Sequence, residues 1–194
     1  MGLMLITPPT EEPITLQEAK NHLRVDTNDD DMLITALIRA AREHAEAITR
    51  RSFITQIWEM SLDNWPEGME LIIPFPPLQS VISVKYVDSA GIEHIFDADK
   101  YIVDTLNEPG RIVLKNYDYC WSTDILQPAD SIHIQYKAGY GTAAEVPQPI
   151  KQAMLLMIGH WYENREATIS GSIQHELPLA VEALLWPYRI LRWL

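Results

Sequence analysis

The sequence predicts an α+β protein: a helical frame made from both ends of the chain, with an antiparallel β-meander or small β-sandwich inserted between them. Three observations predict it. Apolar residues between Leu33 and Ile48 recur at three- and four-residue steps; from about Phe53 the pattern changes to short β-branched and aromatic runs separated by turn sequences; and helical spacing returns after Pro147. Hydrophobic period is the primary signal for such assignments, and helices on both sides of a run of strands make an α+β arrangement. The expected divisions are residues 1–52, 53–140 and 141–194.

The N-terminal part opens with "TLQE" at Thr15–Glu18. This is a capping box: the Thr hydroxyl accepts from the amide three residues on, and the Glu carboxylate reaches back to the Thr amide. A short helix to about Leu23 follows. In the second helix Leu33, Ile34, Leu37, Ile38, Ala41, Ala45 and Ile48 share one stripe, while Arg39, Arg42, Glu43, Glu46 and Arg50 lie on the other faces.

Between these helices stands "DTNDDD", Asp26–Asp31. A calcium loop starting at Asp26 places oxygen ligands at its first, third and fifth positions. It then has Asp31 where Gly is needed and Leu37 where a bidentate Glu is needed. The run is expected instead to start the helix, with Thr27 or Asn28 as N-cap and Asp29, Asp30 and Asp31 in a first turn that favours negative charge.

The middle segments "FITQIWEMSLDNW", "ELIIPF", "SVISVKYVD", "IEHIF", "KYIVD", "RIVLKN" and "SIHIQYKAG" read as roughly six or seven short strands. In the last, Ile132, Ile134 and Tyr136 face one side, and His133, Gln135 and Lys137 the other. Pro74, Pro76 and Pro77 predict an extended connection outside any sheet.

Helix resumes at "VPQPIKQAMLLMIGHWYENRE", where Pro147 and Pro149 suit a first turn that needs no amide. Ile150, Met154, Met157, Ile158 and Trp161 form its stripe; Ala153, Leu155, Leu156 and Tyr162 broaden it past one face, so the helix is expected to be covered on most sides. After a loop, "LPLAVEALLWPYRILRWL" gives a short helix from about Pro178 to Leu185, a break at Pro187 and an aromatic-basic end. Trp186, Tyr188, Ile190, Leu191 and Trp193 are too much apolar surface to leave in water, and Arg189 and Arg192 add charge-assisted contacts. This end either folds back on its own subunit or docks on a partner.

Composition narrows the chemistry. The net charge of −12 over 194 residues falls mainly on residues 53–147, with 14 acidic and 5 basic side chains, which opposes general affinity for a nucleic-acid backbone. The single cysteine, Cys120, permits no internal disulfide and no multi-cysteine zinc site. The apolar stretch before Pro8 and Pro9 lacks the basic flank of a signal peptide, and the run around Ala153–Tyr162 is far short of a membrane span, so a soluble protein is expected. The six histidines show no metal-ligand spacing. "SGS" at Ser170–Ser172 lacks a nucleophile-elbow frame, and "AGYGTA" at Ala138–Ala143 lacks the third Gly and the Lys of phosphate loops. No catalytic, cofactor-binding or metal residue is assigned. An Asp/Glu cluster from the acidic middle, serving a small metal-assisted hydrolase, stands as the alternative.

The two ends together resemble the phage head-tail connector family, also called adaptor or head-completion proteins. The similarity lies in "ITLQEAKNHLRVDTNDDDMLITALIRAAREHAEAITRR", in "VPQPIKQAMLLMIGHWYENRE" and in "LPLAVEALLWPYRIL", in that order. The β-rich insert implies the family's longer form. The resemblance implies a virion neck protein without catalytic residues or cofactors. About a dozen copies would assemble in the host cytoplasm as a ring under the portal protein, extend the DNA channel without binding DNA specifically, and receive a stopper or tail-completion protein. Candidate portal- or neighbour-binding residues are then Trp186, Tyr188, Arg189, Ile190, Leu191, Arg192, Trp193 and Leu194. Candidate subunit-interface residues are Arg50, Arg51, Met157, Trp161, Tyr162 and Arg165, the last beside Glu166, although ordinary solvated helix ends account for the arginines equally well.

Overall fold

The computed structural model describes residues 1–116, 119–164 and 179–191. These form two compact units, one from residues 1–9 and 55–140 and one from residues 10–54 and 141–191. The fold is α+β, as the sequence predicts.

Among the described residues the first unit holds eight strands: β1 Gly2–Thr7, β2 Gln56–Leu62, β3 Glu70–Ile72, β4 Leu78–Val87, β5 Glu93–Ile95, β6 Tyr101–Asp104, β7 Arg111–Leu114 and β8 Ile132–Ala138. They do not pair in chain order. One sheet runs β1-β2-β8-β4-β5 and the other β3-β7-β6, all pairs being antiparallel. Alternation explains the central strand: Ile132, Ile134 and Tyr136 of β8 are fully buried while His133 and Gln135 are half-buried on the opposite face. Those three join Met60, Val84, Leu71, Ile112 and Leu114 in one core that takes side chains from both sheets. Of the two expected arrangements, the two-sheet one is therefore present, and not a meander.

Strand β1 has no counterpart in the sequence reading. Its residues are almost all apolar, so they lack the alternation that marks a half-buried strand. It pairs with β2 along Gly2–Thr7 and is exposed except at Leu3, which packs on the core.

The second unit contains α1 Leu16–Leu23, α2 Asp31–Thr49, α3 Gln148–Glu163 and α4 Leu179–Leu185. The Thr15–Glu18 capping box is present, with Glu18 Oε2 accepting from the Thr15 amide at 2.7 Å. These bonds hold the Glu18 carboxyl below its usual range. The stripe of α2 is buried at Ile34, Ile38, Ala41 and Ala45, and α3 buries Ile150, Ala153, Met154, Met157 and Ile158. Helix α3 packs against α1, α2 and α4, so much of its broad apolar surface is covered inside its own unit. Among the described residues no helix is long and apolar enough to cross a membrane.

The acidic run does not cap α2 as expected. The N-cap is Asp30, and its side chain makes no capping bond. The side chains are used in tertiary contacts instead. The buried ammonium of Lys20 on α1 donates to Asn28 Oδ1 at 2.8 Å and to Asp31 Oδ1 at 2.7 Å, and the Tyr162 hydroxyl of α3 donates to Asp30 Oδ2. The run thus draws α1 and α3 onto the start of α2. The "AGYGTA" stretch is a turn, with Gly139 and Gly141 at φ 127° and 132° and a second capping box at Thr142 and Glu145 behind it.

Candidate partner-docking site

Helix α2 ends because Arg50 takes the left-handed conformation, φ 58°, its amide bonded to Glu46 O at 2.7 Å. Just before this stop, Thr49 is fully buried and its hydroxyl donates to Ala45 O at 2.7 Å. Just after it, Arg51 is buried too, and its Nε donates to the backbone carbonyl of Tyr188. A second bond runs alongside, from the Ile190 amide to Thr49 O at 3.0 Å. The segment after α4 is therefore pinned by its backbone to the last turn of α2.

Pro187 sets up that segment. It cannot continue an α-helix, and the chain tightens after α4 into a 3₁₀ turn, Trp186–Tyr188, closed by the Arg189 amide on Trp186 O at 3.1 Å. Val181 and Leu185 anchor α4 in the core. With the backbone fixed, the side chains divide. Tyr188 and Ile190 are half-buried, whereas Trp186 is 61% and Leu191 73% exposed. Arg189 is exposed, its guanidinium 5.6 Å from the Trp186 ring centre, a cation–π geometry that favours this arrangement of the two side chains.

Of the residues singled out in the sequence, the structure brings Arg51 to Tyr188 and the Ile190 amide to the end of α2, and gives them different duties. Arg51 is enclosed and supports the segment from beneath; Arg50 is half-buried at the helix stop. Met157 is fully buried in its own unit, which removes its side chain from any surface facing a neighbour. Trp161 and Tyr162 are half-buried, Trp161 edge-on to His44 at 5.9 Å and Tyr162 tied to Asp30. Arg165, Arg192, Trp193 and Leu194 lie outside the described residues. The role of Thr49 as an acceptor through its backbone left no mark in the sequence, because any residue supplies that carbonyl. No group of three or more His, Cys, Asp or Glu side chains among the described residues is arranged to hold a metal ion.

The segment presents Trp186, Arg189 and Leu191 at the surface on a backbone bonded to the end of α2. The chain belongs to the head completion protein (HCP) family, whose model matches residues 12–191, as the resemblance in its two ends implies. Its fold is that of solved neck and virion proteins of gene transfer agent (GTA) particles. A chain from a structure described as the neck of an empty GTA particle computed with C6 symmetry superimposes with a TM-score of 0.82 at 24% identity, over 100% of this chain and 98% of that one. A chain from the virion of a native GTA particle gives 0.80 at 24% identity, again over 100% and 98%. One from the neck of a native GTA particle computed with C12 symmetry gives 0.78 at 23% identity over the same shares. No curated protein matches the chain.

Proposed function

We propose that this chain is a structural, non-catalytic head-tail connector subunit of a tailed phage or prophage. It assembles as a ring under the portal protein in the virion neck, extends the DNA channel and receives a stopper or tail-completion protein on its far side. Family membership supports the class, and the C6 and C12 symmetries named for the similar neck structures support a ring of this order. The observation that carries the docking role is the pinned segment Trp186–Leu191. A surface that holds Trp186 and Leu191 mostly exposed on a fixed backbone loses little conformational entropy when a partner covers it. Aromatic and Arg side chains are also the ones that most often dominate binding energy. The net charge of −12 fits a channel that passes DNA without retaining it.

Native mass spectrometry tests the reading with the chain alone and mixed with purified portal. A ring of about a dozen copies on the portal is expected, whether the free chain is monomeric or not. A chain that stays a monomer in both samples contradicts it.

A further inference from the structure

Among the described residues the five-stranded sheet ends in β1 on one side and β5 on the other, and both leave apolar side chains exposed. Natural sheets guard an edge with charges, proline, a bulge, a short strand or a covering element; here β1 has a bulge between Leu5 and Thr7 and β5 is three residues long, so each edge is guarded only in part. Strand β1 contains no charged side chain, and Met4, Leu5 and Ile6 are 55%, 40% and 41% exposed. At the other edge, β5 carries Glu93 and His94, but both are engaged within the chain: Glu93 with Lys85 and His94 with Asp88, each at 2.8 Å. Ile92 and Ile95 there are 56% and 75% exposed.

The register puts Met4 and Ile95 on one face, and Leu5 on the other with Trp58, Tyr136 and Val81. Met4 stands opposite Glu59, which stands opposite Gln135 and then Ser83. One pleat along, Ser61, His133, Lys85 and Ile95 make the next row. Leu3, Met60, Ile134 and Val84 point the other way, into the core. Met4 and Ile95 therefore flank the polar outer face from its two ends.

We propose that β1 of one copy adds to β5 of the next copy, continuing the sheet across subunits with Met4 and Ile95 meeting at the seam. The proposal rests on the ring reading and names an interface within it. An open edge of amides and carbonyls is satisfied by another strand, and every copy supplies both halves of the contact. Such a head-to-tail contact is heterologous and closes into a ring when the rotation permits. In an all-antiparallel order β1 and β5 run the same way, so the seam is parallel. Charge favours the same choice of surface. Copies of a chain carrying −12 repel, and the uncharged β1 brings no further like charge to the edge that carries Glu93.

Disulfide trapping tests this. Met4→Cys and Ile95→Cys are introduced singly and together in a Cys120→Ser background, with the oligomer measured by light scattering before oxidation, with and without purified portal. The double variant should give a ladder of covalent multimers, the mixed single variants only dimers, and each single variant alone none. Dimers from Met4→Cys alone overturn the proposal in favour of β1 pairing with itself. Rings without a ladder overturn it and leave the connector reading standing. Absence of any ring, with portal present, overturns both.

Discussion

The Nε of Arg51 donates to the backbone carbonyl of Tyr188 across 137 positions of sequence, and it does so from a buried position. A buried guanidinium is costly unless it is bonded, so this contact fixes the course of the chain after α4 more firmly than the exposed residues around it do. Arg51→Ala should cost about 1.5–3 kcal/mol, the range for a hydrogen bond to a charged group. Loss of exchange protection at the Ile190 amide, read by hydrogen exchange, should accompany it. Protection that survives Arg51→Ala shows the segment to be held by something else.

The exposed side chains of the same segment should behave in the opposite way. Trp186→Ala, Arg189→Ala and Leu191→Asp change surface groups, and such substitutions ordinarily stay within about 0.5 kcal/mol. Chemical denaturation should therefore show unaltered midpoints. A strong destabilisation by Leu191→Asp places that side chain in the core and removes it from the docking surface. These substitutions are cleaner than deleting residues 187–194, because the deletion also takes away the Tyr188 carbonyl that Arg51 needs.

Asp31→Asn removes the charge facing the buried Lys20 ammonium, leaving Asn28 as its other partner. A loss of about 1–3 kcal/mol is expected, since one partner of a buried charged group is withdrawn. Asp29→Asn, at an exposed position, should be close to neutral. Thermal melts of both variants decide the matter. A large calcium-dependent rise in the wild-type melting temperature contradicts the assignment of this run to helix assembly.

Acid should act on the β6–β7 hairpin. The Asp104 carboxyl is held down to about 2, first by the Arg111 side chain and then by Asn107. Arg111 bridges further, to Glu70 at 2.9 Å. Because the folded value lies below the ordinary value of about 3.9, this stabilisation is fully present above about pH 4 and is lost as pH falls through about 2. Arg111→Gln should return the Asp104 titration, followed by carboxyl carbon NMR, toward the ordinary value. A titration that does not move assigns the depression to the Asn107 and backbone bonds.

Much of this was legible in the sequence because the signals were local and periodic. The capping box at Thr15, the stripe of α2, the alternation Ile132–Ile134–Tyr136 and the Pro-led start of α3 each follow from spacing alone. What was not legible depends on partners far away in sequence. Strand β1 is apolar without alternation, so its pairing with β2 cannot be inferred from its own residues. Asp30 and Asp31 have the composition of a helix start, yet Tyr162 and Lys20 claim their carboxylates. Arg51 reads as a solvated helix end until the segment after Pro187 is seen lying over it. In the segment proposed to dock, the apolar character of Trp186 and Leu191 was identifiable from composition, but their division from the half-buried Tyr188 and Ile190 needed the 3₁₀ turn.

The most direct measurement is the affinity of purified portal for the wild-type chain and for Trp186→Ala with Leu191→Asp, each shown first to be folded. Stoichiometric binding by the wild type is expected, with at least a tenfold loss, about 1.4 kcal/mol, in the variant. Equal binding by the two proteins, or none by the wild type, contradicts it.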